Sequence, residues 1–278
     1  MPLDSGIPQR SIPSDLIEAA KEIAAKHGVA HQLSDKDFIL WFLLDHAGFA
    51  QNKAGAIDYY FSNGRRSAER LNSIIGEHLA RPSPSILEFA SGYGCVTRHL
   101  PALMPTSSIV ACDIHDEAVS FIDDEIGVDA ISSVSVPEDF DAKEKFDVVF
   151  ALSFFTHMPD ATWQRWLNTL GRCLKPGGLL VFTANGHKAV PNFPKGTEVD
   201  EDGYFFLEHS EQSDLSPKEY GSTIALFPYI HRQLQKTRFL DLVKFEEAFW
   251  YETQDVYVLR ANHLVEIADL SSAAGMAA

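Results

Sequence analysis

The stretch Ser85–Leu100, S-I-L-E-F-A-S-G-Y-G-C-V-T-R-H-L, decides how the rest of the chain is read. Ile86, Leu87 and Phe89 make a short apolar run of the kind a buried parallel strand shows between turn residues. Ala90-Ser91-Gly92-Tyr93-Gly94 then breaks the pattern with small side chains, and Val96, His99 and Leu100 resume it at helical spacing. A strand, a tight small-residue turn and a helix start make a nucleotide-type pocket. Glycines let the backbone approach a ligand, and the free N–H groups of the helix start face the same space.

Two details bear on which ligand that is. A dinucleotide fingerprint, G-x-G-x-x-G, has a third glycine that lets the helix pack close to the strand; here Thr97 stands three positions after Gly94. Glu88 lies on the strand just before the turn, where a carboxylate repels a pyrophosphate but suits a ligand carrying an amine and a sulfonium. Nineteen positions after Gly94 comes Asp113, at the end of the run Ile109-Val110-Ala111-Cys112. An acid about 20 residues on is placed to accept from ribose hydroxyls. Both ligands want Asp113, and only the second wants Glu88.

The segment resembles motif I of class I S-adenosylmethionine-dependent methyltransferases, D/E-x-G-x-G-x-G. Glu88, Gly92 and Gly94 match it, and Ala90 stands where the first glycine is usual. The resemblance continues through Asp113, Phe146–Phe150 and Leu174-Lys175-Pro176-Gly177-Gly178, over roughly residues 85–185. It implies an α/β fold: a Rossmann-like, seven-stranded, mostly parallel sheet with an antiparallel last strand, helices on both faces and a helical N-terminal cap. It implies S-adenosylmethionine as cofactor. Glu88, Ala90, Ser91, Gly92 and Gly94 then form the pocket floor, Asp113 takes the ribose, Ile114 adds a contact, and Ser133 stands near the adenine.

Composition narrows the partners. The 278 residues carry a net charge of −16 and no Lys/Arg cluster beyond Arg65-Arg66, whereas a nucleic-acid grip needs a basic face. Nucleic acid is therefore not expected as a partner. Apolar residues make up 45%, enough for a packed core. Cys95, Cys112 and Cys173 form no C-x-x-C pair and read as buried small hydrophobes in a reduced compartment. The N-terminus lacks a secretory pattern and Phe38–Leu44 is too short to span a bilayer, so the expectation is a cytoplasmic protein with no membrane partner.

Along the chain, residues 1–66 are expected to form a helical arm and cap, 67–270 the main domain with a substrate-side insertion at about 186–240, and 271–278 a frayed tail. Residues 1–13 read as a loose arm. Ser14 or Asp15 caps a helix to about Lys26 that Gly28 ends. Ser34 or Asp35 starts a second helix, apolar nearly all round, which is to bury against the body or a second subunit; a homodimer is therefore open. Tyr59–Arg66 leads into a helix over 67–79. It either folds over the cofactor, with Tyr59 as a wall and Arg65 pairing with the methionyl carboxylate, or is a helix with core aromatics and solvated arginines.

Helix Glu117–Ile126, a strand near Ala130-Ile131 and a central strand Phe146–Leu152 follow. The carboxyl end of that strand is where ligands sit in open α/β sheets, so Leu152 and Ser153 are expected at the cofactor and Phe154 at the substrate. His157 has a pKa suited to a general base, or it caps the following helix. Asp160 caps a helix whose inward face is Trp163, Trp166, Leu167 and Leu170. The stretch Asn185–Lys218 lacks clear regular structure; its island Tyr204–Leu207, and Glu208, His209, Tyr220 and Ser222 in or just after it, are candidates for substrate contact. No spacing there suits a metal. A helix near Pro228–Gln235 and strands Leu242–Phe245 and Val256–Leu259 close the pattern, the last running antiparallel beside the fifth.

The function expected is methyl transfer from S-adenosylmethionine to a small-molecule hydroxyl or amine, chiefly by positioning. The alternatives are an NAD(P)-dependent oxidoreductase, which would have a parallel strand where the last one lies, and a cofactor-binding relative without catalysis.

Overall fold

The computed structural model describes residues 10–210, 212 and 214–265. They form two units, residues 10–133 with Gln212 and Asp214, and residues 134–210 with 215–265. The expected frayed tail and residues 1–9 of the arm lie outside the described residues.

In the first unit, helix α1 (Ser14–His27) ends at Gly28, whose φ of 67° is the left-handed conformation that closes a helix. Its start differs from expectation. Pro13 holds the cap position with no side-chain bond, its fixed φ already suited to leading into a helix. Helix α2 (Phe38–Asp45) is capped by Asp37, which accepts from the Leu40 N–H. One side of α2 is buried in the body, through Leu40, Leu43 and Leu44, while Ile39 and Phe42 stay 48% and 49% exposed. Helix α3 (Lys53–His78) begins a full four turns earlier than the 67–79 expected, capped by Asn52. Tyr59–Arg66 is therefore helix, and Gly64 is tolerated inside it because a Cβ there would meet the Cys95 carbonyl oxygen at 2.0 Å. The three helices share a core of Leu16, Ala20, Ile23, Leu40, Ile57 and Phe61.

Strands β1 (Ser85–Phe89), β2 (Ser108–Asp113) and β3 (Asp129–Ser132) pair in parallel in the order β3-β2-β1. The helix expected after the glycine turn is one 3-10 turn, Thr97–His99, and a four-residue helix α4 (Leu100–Leu103). Pro105 explains where α4 stops, since the residue before a proline avoids the helical region, and Met104 leaves it at φ −130°, ψ 64°. Helix α5 (Asp116–Phe121) passes into a π-turn, Ile122–Ile126, closed by Gly127.

In the second unit, β4 (Phe146–Ala151) is buried throughout and pairs in parallel with β5 (Leu174–Asn185), which takes in Pro176-Gly177-Gly178. Helix α6 (Asp160–Arg172) buries Trp163, Trp166, Leu167 and Leu170 as expected. Asp160 is its first residue and not its cap; the carboxylate instead accepts from Tyr229 OH at 2.6 Å. The stretch expected to lack regular structure carries β6 (Tyr204–Leu207), which forms a hairpin with β7 (Ser222–Ala225) just beyond it, and β7 also pairs with β5. Helix α7 (Phe227–Lys236) then leads to β8 (Leu240–Trp250) and β9 (Gln254–Ala261). Strand β9 runs antiparallel to both β5 and β8. Its direction beside β5 is the expected one and differs from that of a hydride-transferring Rossmann domain.

The fold is thus mixed α/β and Rossmann-like. The described residues carry nine strands where seven were expected, β6 and β7 being the additions. Among them no helix is long and apolar enough to cross a membrane, and no cluster of His, Cys, Asp or Glu could hold a metal.

Candidate active site

The turn after β1 is built from backbone conformations that L-residues avoid. Ala90, Gly92 and Gly94 have φ of 59°, 56° and 76°. The glycines adopt this freely; Ala90 does so against roughly 1 kcal/mol of steric cost. Bonds to β2 hold the turn: Ser91 N–H and Oγ–H both donate to the Cys112 carbonyl, at 3.0 and 3.2 Å. Gly92 N–H donates to Asp113 Oδ2 at 2.8 Å. A Cβ on Gly92 would meet nothing within 4 Å, so the backbone there borders open space.

Glu88 lies beneath this turn and is 3% exposed. Its Oε2 has no hydrogen-bond partner among the described residues. Burial pushes its carboxyl up to about 8; the nearby Thr97 hydroxyl offsets part of that, and the charge of Asp113 adds to it. A buried carboxyl with one oxygen unpartnered suits an incoming ammonium or other donor, which would supply the missing hydrogen bond and favour the ionised form.

Asp113 is buried and ordered from several sides. Its Oδ1 accepts from the His115 backbone N–H at 3.0 Å and from the His115 ring at 2.9 Å. Ser133 N–H donates to the Asp113 carbonyl at 2.8 Å, so Ser133 borders the same strand end. Ile114, between the two, is 38% exposed.

Two expected residues of this unit face elsewhere. Arg65 donates to Glu69 at 2.7 Å and lies 3.4 Å from the His27 ring. Tyr59 is partly exposed against Phe49, ring centres 5.8 Å apart. The arginine at the turn is one the sequence reading passed over. Arg98 is buried and donates to the carbonyls of Gly94 (2.9 Å), Tyr93 (3.2 Å), Ala30 (3.0 Å) and Gln32 (2.9 Å). It ties the glycine turn to the segment between α1 and α2. Its four-residue distance from Gly94 was a usable signal, because side chains reach back one turn.

The second unit has its own cluster at the end of β4. Ser153 adopts φ 57°, and its N–H donates to Thr183 Oγ1 at 2.8 Å. Gln254 joins Ser153 and Thr183 through bonds of 2.7–3.0 Å. Leu152 precedes this turn and is partly exposed. Phe154 turns into the core, edge-on to Phe155 and Trp166 at 5.3 Å each. The next residues are fastened to the β6–β7 hairpin: Thr223 N–H donates to the Thr156 carbonyl at 2.7 Å, and Tyr204 OH and Thr223 OH both donate to the Met158 carbonyl.

His157 sits inside that arrangement. Its Nδ1 lies 2.7 Å from the Gly221 carbonyl, so Nδ1 carries the proton and Nε2 is left as the acceptor. Tyr220 stacks on the ring, centroids 4.3 Å apart and 12° from parallel. Burial pushes its pKa down to about 4, partly offset by the Gly221 bond, so the ring is neutral at pH 7. His209 is exposed, and its carbonyl accepts from Ser222 at 3.3 Å.

The fold is one this chain shares with solved methyltransferases, and part of its sequence matches a methyltransferase family model. Residues 87–180 match the family model described as a methyltransferase domain. A tRNA (guanine-N(7)-)-methyltransferase of Albidiferax ferrireducens is 29% identical over 100 residues, 36% of this chain and 38% of that protein. The chain thus spans well under half the length of that curated relative. A glycopeptide N-methyltransferase, MtfA, solved with S-adenosyl-L-homocysteine, superposes with a TM-score of 0.53 at 13% identity, covering 72% of this chain and 90% of that one. The 1,6-didemethyltoxoflavin-N1-methyltransferase of Burkholderia thailandensis does so at 0.51 and 13%, covering 83% and 92%. Residues 87–180 are therefore the part of the chain that is similar to a methyltransferase domain.

Proposed function

We propose that this protein binds S-adenosylmethionine in the first unit and transfers its methyl group to a small-molecule hydroxyl or amine. The observation that carries the reading is the buried Glu88 carboxyl, its Oε2 without a partner among the described residues, next to a turn with three positive φ angles to which Asp113 is also bound. When bound, the cofactor supplies a methyl group already activated by its sulfonium charge. Glu88 favours the methionyl ammonium, directly or through the turn. Gly92 and Gly94 give close backbone approach, with Ala90 and Ser91 completing the floor. Asp113 accepts from the ribose hydroxyls, and Ile114 and Ser133 border the base. Leu152 and Ser153 remain candidates for cofactor contact within the second unit.

His157 is the candidate general base, because its Nδ1–H bond to Gly221 leaves Nε2 free to take a proton. Tyr220 stacks on the ring and, with Tyr204 and His209, is a candidate acceptor contact. The charge of −16 supports a small acceptor over nucleic acid. The two solved neighbours named above are N-methyltransferases by name, which supports keeping amines on the panel.

The test is release of S-adenosylhomocysteine from S-adenosylmethionine across a panel of small amines and hydroxyl compounds, with tRNA as an added arm. Turnover with a small acceptor, reduced in H157N by roughly 10²-fold or more, is the expected outcome. Turnover with tRNA alone would overturn the acceptor class, and undiminished H157N activity would overturn the base.

A further inference from the structure

His115 and Asp214, two side chains of the first unit that the proposed chemistry leaves unused, form a bridge to Asp113. His115 lies two residues past β2, and Asp214 lies 99 residues further along the chain. The His115 ring places Nδ1 2.9 Å from Asp113 Oδ1 and Nε2 2.9 Å from Asp214 Oδ2. Both ring nitrogens meet carboxylates, so the protonated ring donates to each. With the His115 backbone N–H on Oδ1 and Gly92 N–H on Oδ2, the Asp113 carboxylate is held by three donors. A carboxylate oxygen accepts about two hydrogen bonds; Oδ2, with one, keeps capacity for a hydroxyl.

We propose that His115 is a positioning residue for Asp113, locking its carboxylate in the orientation in which Oδ2 accepts a ribose hydroxyl, and that Asp214 holds His115 in its doubly donating form. This rests on the reading of Asp113 as the ribose acceptor. A carboxylate free to rotate would lose orientation, and a bridging imidazolium removes that freedom before ligand arrives. Among the described residues His115 is the one hydrogen-bond partner of the Asp214 carboxylate.

The charged surroundings favour the protonated ring. The Asp113 hydrogen bond raises the His115 pKa most, burial opposes it, and the charges of Asp113 and Asp214 with the Asp214 bond bring it to about 9. Of the other nearby groups, Asp116 accepts from Ser132 at 2.6 Å and Glu117 pairs with Lys36. The phenol of Tyr93 is pushed above its usual range by burial first and then by acids that include Asp113 and Asp214, so it stays neutral. A histidine whose folded pKa is raised favours the folded arrangement at low pH, and that contribution is lost as pH rises through about 9.

The experiment pairs an NMR titration of the His115 ring, assigned by loss of its signal in H115N, with S-adenosylhomocysteine affinity measured against pH. Wild type, D214N, H115N and H115A are compared. The expected results are titration near 9 in wild type, lower by about one pH unit in D214N. Affinity should fall about tenfold in H115A. It should be largely restored in H115N, whose amide can still donate to Asp113, and should weaken above pH 9 in wild type but not in H115N. His115 titrating near 6.5, with S-adenosylhomocysteine bound normally, overturns the bridge alone. Affinity and pH profile unchanged in H115A overturn the positioning role. Wild type that fails to bind the probe overturns the cofactor reading and this role with it.

Discussion

Two strand ends, one in each unit, carry a histidine near a turn with a left-handed L-residue, and they set those histidines in opposite directions. Past β2, His115 lies between two carboxylates and its pKa is raised to about 9. Past β4, His157 faces a carbonyl and an aromatic ring, and burial lowers its pKa to about 4. The first is a charged donor and the second a neutral acceptor. Side-chain type alone says little about protonation; the neighbours decide it. The turns share a further trait, since Ala90 and Ser153 hold φ of 59° and 57° without being glycine. Such strain persists where the surroundings over-determine the backbone, which happens most often at functional sites.

The largest expected effect comes from breaking one unit's support while sparing the other. G64A would drive a methyl group into the Cys95 carbonyl, 2.0 Å from the added carbon. It should destabilise the protein by about 3 kcal/mol or more in urea unfolding; an unchanged midpoint would show that α3 can shift away from the turn at little cost.

Next are the pH responses, which should run in opposite directions. Glu88 has a folded pKa of about 8, above the ordinary 4.5, so the stability it contributes without ligand is lost as pH rises from about 4.5 toward 8. E88Q should remove that loss, raising stability at pH 8 by on the order of 1–3 kcal/mol while weakening cofactor binding. His157, lowered to about 4, contributes stability that is full above about 6.5 and falls as pH drops toward 4. H157N should flatten that acid limb. Thermal melts across pH 4–9 read both, and parallel slopes in the two variants would contradict the contrast.

The smallest effect is the release of backbone strain. A90G and S153G should each stabilise by roughly 0.5–1 kcal/mol, the left-handed penalty less glycine's entropy. If only A90G does so, the Ser153 bonds to Thr183 and Gln254 outweigh its strain.

Much of the first unit's site could be read from local spacing. Glu88, the two glycines and Asp113 fall on a strand–turn–strand pattern whose periodicity shows directly in the sequence. The α6 face was legible for the same reason, whereas the antiparallel direction of β9 followed from the family resemblance alone. What escaped reading depended on contacts distant in the chain. Asp214 reaches His115 across 99 positions, and the β6–β7 hairpin joins two four-residue strands across fourteen residues rich in acid and serine. Helix α3 was cut short because Gly64 and the aromatic run before it look like a helix boundary. Only the close approach of Cys95 explains a glycine there.

The central claim is that Glu88, the glycine turn and Asp113 hold S-adenosylmethionine, and calorimetric titration with S-adenosylhomocysteine tests it most directly. One site in wild type is predicted, weakened in D113A by about 1–3 kcal/mol, with no binding of NADH. Binding of NADH in its place, or an affinity that D113A leaves unchanged, would contradict it.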